Sequence, residues 1–360
     1  MQVAEDAEVD QLGERRSAVR PQPCTCVCAR GFLHAHTSTV HGVRVWRSLD
    51  DVPADLGRSV VVVGNFDGVH LGHRHVVRRA REAADADNLL VVAVTFDPHP
   101  FAVLRPEHPP LALTDIDRRC YLLAEAGVDD VLVLPFSRKM AAWAPQEFID
   151  RVIVEGLHAA VVVAGANFRF GARAAGDLAL LTKAGRTQDF RVERIALDGG
   201  PQVWSSTYAR ACLAGGDVEG ASEALGHPYS VVGTVVQGEQ RGRELGYPTA
   251  NVLTQGLAAP TDGVYAGWLG LLDPENGQAP VGESLPVAIS VGTNPTFAGD
   301  RERRVEAYVL DGEGLDLYDR RVEISFVARI RGMVKFDGID ALLEAMARDV
   351  GQTRELLGLK

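Results

Sequence analysis

The sequence predicts an α/β protein of two domains, in which a parallel sheet with helices is followed by a small antiparallel β-barrel and a C-terminal helix. Its length of 360 residues exceeds that of one ordinary small domain. From residue 44 to about residue 213, short apolar runs alternate with helical stretches, which is typical of a parallel sheet built from right-handed crossovers. After residue 229, strands separated by turn-rich segments dominate, and this pattern favours a closed barrel.

Composition and charge limit the class of protein. The chain has a formal net charge of -11 and 46% hydrophobic residues. No apolar run reaches the roughly 18 residues of a membrane helix, and no signal-peptide pattern opens the chain. A nucleic-acid binder would show a basic face, so we expect small-molecule substrates and no nucleic acid. Without a membrane helix or a signal peptide, we expect no membrane and a cytoplasmic location. The oligomeric state stays open.

The first 41 residues differ from the rest of the chain. They mix charged residues, serine and proline without a periodic apolar pattern, which predicts a disordered extension over residues 1–41. Cys24, Cys26 and Cys28 stand close together in this extension. Their spacing matches no familiar zinc pattern and no second pair follows, so we predict no metal site there and leave any other role open.

The elements of the first domain follow from hydrophobic periodicity. Buried strands are predicted at four apolar runs: Val60–Val63, Leu89–Val94, Val131–Leu134 and Ala159–Ala164. Helices are predicted near His73–Ala84, Asp117–Ala126 and Pro145–Glu155. Ligands bind at the carboxyl ends of the strands in such sheets, so the segments that follow the runs are the candidates for a site.

The segment GNFDGVHLGH, residues 64–73, follows the first run and opens the first helix. Its glycines predict a tight turn in which the backbone can approach a ligand. Free backbone N–H groups and the helix dipole favour a phosphate at this point. His70 and His73, separated by Gly72, could direct two imidazoles at that phosphate. A glycine-rich turn with two incidental histidines is the alternative.

Two further motifs fall at carboxyl ends of predicted strands. TFDPHP, residues 95–100, follows the second run, and its prolines suit a rigid pocket wall. GANFRFGARAAGD, residues 165–177, follows the fourth run, and Phe168 and Phe170 offer flat surfaces to a ring system. Two loops with a buried aromatic residue each are the alternative.

A helix through Leu213 is predicted within the segment WSSTYARACLAGGD. Ser205 or Ser206 is a good N-cap, which would put Thr207 and Arg210 in the first turn of the helix. Hydroxyl groups and a guanidinium group at a helix N-terminus suit a triphosphate. Capping alone would also explain the serines.

The elements of the second domain are mainly strands. They are predicted at Val231–Val236, Val264–Leu272, Leu285–Val291, Val305–Leu310 and Val322–Ile330, with a final helix over Ile339–Leu357. Thr249 and Asn251 of the sequence PTAN project to the same side of an extended segment, so they could share Mg²⁺ and a phosphate. Glu306 points away from Val305 and Ala307, where a carboxylate is either solvated beside Arg303 or Arg304 or has a chemical role.

These motifs together resemble the bacterial bifunctional riboflavin kinase/FAD synthetase (FMN adenylyltransferase) family. The resemblance rests on the forms GxFDGxHxGH, SSTxxR and PTAN, followed in order by GVYAG, SVGTNPTF and VEAYVLD, and it covers about residues 43–358. It implies a Rossmann-like nucleotidyltransferase domain at residues 42–214, a linker at 215–229 and a riboflavin kinase barrel at 230–360.

The resemblance also implies the site residues. The catalytic residues would be His70, His73 and Glu306. ATP and its phosphates would be bound by Gly64, Phe66, Asp67, Gly68, Gly72, Ser206, Thr207, Arg210, Gly238, Arg241, Gly242, Arg243, Thr249 and Asn251, the last two also holding Mg²⁺ with the phosphates. The flavin would contact Asp97, Pro98, His99, Pro100, Asn167 and Phe168. Asn167 stands where many family members have Asp.

The implied function has two parts. The C-terminal domain would phosphorylate riboflavin with ATP to give FMN, and the N-terminal domain would adenylylate FMN to FAD with release of pyrophosphate. Positioning, Mg²⁺ and hydrogen-bond donors would supply most of the catalysis of both reactions. Two alternatives are another HxGH-type nucleotidyltransferase with an unrelated barrel and a non-catalytic flavin or nucleotide sensor, and turnover of riboflavin and ATP distinguishes them.

Overall fold

The computed structural model describes residues 38–40, 42–196, 204–238, 247–254, 256–273, 280–293, 303–312 and 315–359. The predictions for residues 1–37, with Cys24, Cys26 and Cys28, and those for Arg241, Gly242 and Arg243 lie outside the described residues. Within these ranges, no helix is long and apolar enough to cross a lipid bilayer.

A seven-stranded sheet forms the first part of the structure. Its strands are β1 (Ser38–Val40), β2 (Val43–Trp46), β3 (Ser59–Val63), β4 (Leu90–Asp97), β5 (Asp130–Pro135), β6 (Ala159–Gly165) and β7 (Arg191–Ile195). The order across the sheet is β1-β2-β5-β4-β3-β6-β7, in which β2 to β7 run parallel and β1 is an antiparallel edge strand. The predicted parallel sheet is confirmed, and β1, at the end of the predicted extension, is part of it.

Helices follow the strands and cover both faces of the sheet. They are α1 (Leu71–Asp87), α2 (Pro100–Leu104), α3 (Ile116–Glu125), α4 (Arg138–Ala141), α5 (Pro145–Phe148), which continues as a π-helix over Ile149–Gly156, and α6 (Leu178–Thr187). Every residue of β3 is buried. Val60 and Val62 pack into one apolar cluster and Val61 and Val63 into another, which explains why this strand is a continuous apolar run.

The second part is a closed barrel of six antiparallel strands. They are β8 (Ser230–Val236), β9 (Thr249–Leu253), β10 (Gly263–Leu272), β11 (Pro280–Thr293), β12 (Arg303–Val309) and β13 (Arg321–Gly332), in the order β10-β11-β12-β9-β8-β13. Pairing of β13 with β10 closes the barrel. The predicted barrel and its C-terminal helix, α9 (Ile339–Leu356), are confirmed.

The direction of the side chains on β12 decides where Glu306 lies. Val305 and Ala307 are buried in the apolar cluster inside the barrel, because a closed barrel fills its interior with one of the two alternating sets of side chains. Glu306 therefore points to the outer face. An outward-packed valine set would have put Glu306 inside the barrel, and the structure shows the reverse. Helix α9 packs against β10, β11 and β13.

Helices α7 (Ser206–Gly215) and α8 (Val218–Leu225) connect the sheet with the barrel. Side chains of both helices belong to the same apolar cluster as the barrel interior. A buried ion pair, Arg118 to Glu323, joins α3 to β13 at 2.5 Å. The backbone N–H of Ala258 donates to the carbonyl oxygen of Ala112 at 2.8 Å. The two parts therefore share a packed boundary.

Candidate active sites

The turn after β3 holds its backbone in left-handed conformations. Gly68 has a φ angle of 78°, and Phe66 and Val69 have φ angles of 50° and 40°. A Cβ atom on Gly64 would lie 3.1 Å from the ring of Phe66, so glycine lets this ring fold over the end of the strand. The Phe66 ring contacts the ring of His73 edge to face, with centroids 5.0 Å apart. The packed turn thus sets the position of His73.

His70 and His73 stack at the N-terminus of α1, with ring centroids 3.6 Å apart. His70 is the N-cap, and its Nδ1 accepts a hydrogen bond from the backbone N–H of His73 at 3.4 Å. A Cβ atom on Gly72 would lie 3.1 Å from the His70 ring, which explains the glycine between them. Burial lowers the pKa of His70 to about 4. Burial, with help from His70 and Arg119, also holds the pKa of His73 well below its usual value, so both imidazoles are neutral at pH 7.

The low pKa of His70 predicts a pH-dependent stability. The unfolded chain protonates His70 near pH 6.5 and the folded protein only near pH 4, so the free energy of unfolding falls as the pH falls between these values. We expect His70 to contribute a loss of about 2 kcal/mol between pH 7 and pH 5. His70→Asn keeps a capping acceptor and should remove this loss in denaturant unfolding at both pH values. The exposed His108→Gln is the matched control, and an unchanged pH dependence in His70→Asn would contradict the prediction.

Helix α7 brings the SSTxxR motif to the same turn. Ser205 is the N-cap, as one of the two predicted positions, and accepts a hydrogen bond from the backbone N–H of Tyr208 at 3.1 Å. The Ser206 hydroxyl donates to the backbone carbonyl oxygen of Asp67 at 2.8 Å. The Arg210 guanidinium donates to the carboxylate of Asp67, and Thr207 is exposed on the first turn. Two motifs that are far apart in the sequence therefore meet at one point.

The segment after β4 lies beside this turn. Asp97 and Pro98 are exposed at the end of the strand, and Pro100 is the first residue of α2. His99 caps α2, with its Nδ1 accepting from the backbone N–H of Phe101 at 3.1 Å. Burial lowers the pKa of His99. The HxGH turn and residues 97–100 thus lie next to each other, at the carboxyl ends of the neighbouring strands β3 and β4.

The segment after β6 lies on the other side of β3. Asn167 is exposed. The ring of Phe168 stacks on the ring of Phe170, with centroids 5.3 Å apart, and Phe170 is buried. Phe168 is therefore half-buried, with its ring packed on that of Phe170.

In the barrel, strand register brings the PTAN residues next to Glu306. Asn251 of β9 is the direct partner of Glu306 of β12, and Thr249 is the partner of Tyr308. Direct partners in an antiparallel pair project to the same face, so all four side chains share the outer face. The backbone of Gly238 lies against the side chain of Asn251, where a Cβ atom would clash.

Two cavities meet at Thr249. One of about 370 Å³ is lined by Gly238, Pro248, Thr249, Asn251 and Leu317, among others. The other, of about 270 Å³, lies beneath α9. Its lining includes Tyr247, Thr249, Glu306, Tyr308, Phe336 and Met346. Thr249 thus stands between a more polar cavity and a largely apolar one, and Asn251 lines the more polar of the two.

Sequence reasoning missed the residues that support these sites. Arg331 of β13 donates two hydrogen bonds to Asp349 of α9, at 2.8 and 2.7 Å, beside the cavity that contains Glu306. Leu113 and Thr114 donate their backbone N–H groups to Asp67. These partners belong to different elements and follow no local spacing, so no motif marks them.

Comparison with known proteins gives matches to both parts of the chain. Residues 52–207 match the FAD synthetase family, and residues 225–357 match the riboflavin kinase family. The bifunctional riboflavin kinase/FMN adenylyltransferase of Escherichia coli (strain K12) is 38% identical over 303 residues, which cover 83% of this chain and 93% of the relative. The protein of the same name from Pseudomonas fluorescens is 36% identical over 86% of this chain and 96% of its own.

A solved structure is also similar over most of the chain. A protein from Streptococcus pneumoniae, described as a macrolide-efflux protein, is 32% identical with a TM-score of 0.75. The match covers 86% of this chain and 98% of that protein. The sheet and the barrel therefore occur together in one known fold.

Proposed function

The chain belongs to the bifunctional riboflavin kinase/FMN adenylyltransferase family, and from this premise we propose how its residues carry out the two reactions. The enzyme phosphorylates riboflavin with ATP to give FMN, and it transfers AMP from ATP to FMN to give FAD and pyrophosphate. The FAD synthetase part comes first in the chain and the riboflavin kinase part second. The first alternative, an HxGH enzyme with an unrelated barrel, is thereby excluded.

We propose that phosphorylation takes place on the outer face of the barrel. The register that puts Thr249, Asn251 and Glu306 on this face is the observation that carries the proposal. ATP would occupy the cavity at Gly238 and riboflavin the one beneath α9, so that its 5′-hydroxyl group comes near Glu306. Glu306 accepts the proton of this hydroxyl group as it attacks the γ-phosphate. Arg241, Gly242 and Arg243 complete the proposed binding site for the ATP phosphates.

The residues at this site fit Mg²⁺. Thr249 and Asn251 offer a hydroxyl and an amide oxygen, which are donors that Mg²⁺ accepts when phosphates supply further ligands. Among the described residues, no group of three or more His, Cys, Asp or Glu residues could hold a metal ion. We propose Thr249 and Asn251 as the protein ligands, and bound Mg²⁺ would neutralise charge on the ATP phosphates.

We propose that AMP transfer takes place at the HxGH turn. The observation that carries this part is that His73 Nδ1 is buried and has no hydrogen-bond partner among the described residues. A phosphate oxygen of ATP would supply the partner that buried polar atoms normally have. His70 and His73 then stabilise the charge that develops on the transferred phosphate.

The remaining residues of this site surround the two histidines. Gly64, Phe66, Asp67, Gly68 and Gly72 shape the turn, and Ser206, Thr207 and Arg210 of α7 bind the triphosphate. Asp97, Pro98, His99, Pro100, Asn167 and Phe168 form the proposed flavin side. Its support is that both segments follow strands next to β3, at the end where parallel sheets bind ligands.

The proposed domain boundaries follow the two sites. Residues 42–214, together with strand β1 (Ser38–Val40), would form the adenylyltransferase domain, 215–229 the linker and 230–360 the kinase domain. We also propose that the enzyme acts in the cytoplasm, because both of its reactions consume ATP.

Chromatography of reaction mixtures tests the assignment of both activities. The purified protein with riboflavin, ATP and Mg²⁺ should give FMN first and then FAD, and with FMN supplied directly it should give FAD alone. Chelation of Mg²⁺ should stop the formation of both products. A protein that binds flavin but forms neither product would be a sensor, and this result would contradict the proposal.

A further inference from the structure

Asp67 lies at the centre of a buried hydrogen-bond network behind the HxGH turn. Its side chain is 1% exposed. The carboxylate accepts hydrogen bonds from the backbone N–H of Leu113 at 3.0 Å and from the backbone N–H of Thr114 at 3.1 Å. The Thr114 hydroxyl lies 3.3 Å from the same carboxylate. These donors come from the segment before α3, so Asp67 ties this segment to the turn.

Two arginines approach the same carboxylate. Arg210 Nη2 of α7 donates to Asp67 Oδ2, while Arg210 Nε donates to the carbonyl oxygen of Leu111 at 2.7 Å. Arg119 Nη2 lies 3.8 Å from Asp67 Oδ1 and Arg119 Nη1 lies 3.3 Å from the hydroxyl of Thr95 at the end of β4. The guanidinium group of Arg210 is thus held at two of its nitrogen atoms.

With these bonds, Asp67 is not free to bind the nucleotide itself, unlike the groups proposed to contact it. Both of its oxygens already accept hydrogen bonds from the protein, and its negative charge would repel a phosphate group. Arg210 carries the opposite charge on a long flexible side chain, whose freedom must be restricted before it can bind a phosphate at a defined place. A fixed carboxylate behind the guanidinium group supplies that restriction.

We propose that Asp67 is a positioning residue of the adenylyl site, which acts on the triphosphate of ATP through Arg210. The inference rests on the proposed function, because it assigns a support to an arginine proposed there. It changes the role of Asp67 from a phosphate ligand to the group that orients one. Segment 111–114 is the third member of the arrangement, since its backbone holds both Asp67 and Arg210.

Asp67→Asn tests the proposal. The new amide group would direct its N–H donors at either Arg210 or the backbone N–H groups of residues 113 and 114, so at least one hydrogen bond is lost in each orientation. We expect kcat/KM for ATP in FMN adenylylation to fall by about 10²-fold, the loss that a misplacement of about 1 Å can cause. The change should be mainly in KM for ATP, and riboflavin phosphorylation should stay within about twofold of wild type.

A double-mutant cycle distinguishes positioning from a general effect on the fold. If Asp67 acts through Arg210, Asp67→Asn should cost less than about threefold when it is added to Arg210→Ala. Losses that multiply in the double variant would overturn the proposal. An Asp67→Asn enzyme whose KM for ATP stays within about threefold of wild type would overturn it as well.

Two further variants guard against a failure to fold. Asp130→Asn is the matched control, because Asp130 is equally buried and forms a two-bond pair with Arg44 near the amino ends of strands β5 and β2 of the same sheet. It should leave KM for ATP unchanged. If Asp67→Asn does not fold, Thr114→Val replaces it in the double-mutant cycle with Arg210→Ala. We expect Thr114→Val to raise KM for ATP by about threefold to tenfold. A wild-type protein that makes no FAD would contradict the proposed function itself. If the wild type makes FAD but the variants at Asp67 leave KM for ATP unchanged, only the role of Asp67 is contradicted.

Discussion

Glu306→Gln is expected to slow riboflavin phosphorylation by about 10² to 10⁴-fold, the range typical of a general base. Glutamine keeps the shape of the side chain beside Asn251 and in the cavity beneath α9. It cannot take the proton of the riboflavin hydroxyl group, so the attack on the γ-phosphate loses its base. Initial rates of FMN formation measure the effect, and adenylylation of supplied FMN should be unchanged in the same protein.

The matched control for this variant is Glu283→Gln. Glu283 is an exposed carboxylate on β11 of the same barrel and does not line the cavity. It should keep wild-type rates of both reactions. If Glu306→Gln phosphorylates riboflavin within a few-fold of wild type, Glu306 is not the base, and Thr249 and Asn251 remain a kinase site whose base is a different group.

His73→Ala is expected to lower FAD formation from FMN by about 10² to 10³-fold, the usual loss when one donor to a transition state is removed. Burial keeps the pKa of His73 well below its usual value, so the neutral imidazole acts by donating one N–H rather than as a cation. Steady-state rates of FAD formation measure the loss, and riboflavin phosphorylation should survive.

His75→Ala is the matched control on the same helix. His75 lies two residues further along α1, where its Nδ1 is 3.1 Å from Arg78 Nη2 on the exposed side. This variant should keep normal FAD formation. A folded His73→Ala enzyme that lost both activities equally would contradict the assignment of the two reactions to two domains.

The parts of the fold with strong periodicity were predictable. Val60–Val63 is apolar throughout because helices cover both faces of β3, and this run alone indicates a central parallel strand. The edge strand β7 was not predicted, because Arg191–Ile195 holds three charged residues and only two apolar ones without strict alternation, and it is defined by its pairing with β6. Strand β9 was identified only as an extended segment, since its assignment depends on pairing with β8 and β12.

In the candidate site, too, some features could be predicted from the sequence and others could not. The proximity of His70, Gly72 and His73 could be predicted because it depends on neighbours within one turn of α1, whereas their proposed roles stay predictions. The partners of Asp67 could not, because Thr114 and Arg210 are 47 and 143 residues away in the sequence and only the folded sheet brings them together. Local spacing predicts local geometry, whereas the supports of a site come from the tertiary structure.

Helix α8 and the barrel share one apolar cluster, and this limits where the chain could be divided into two separate enzymes. The family matches end at residue 207 and begin again at residue 225, so all of α8 except its last residue lies between them. Val218 and Ala221 of this helix are nevertheless completely buried, in the cluster that also contains the barrel residues Val231 and Phe326. A shortened gene that began at the second match would leave apolar barrel surface exposed to water. A gene for the kinase part alone would therefore have to begin no later than the start of α8.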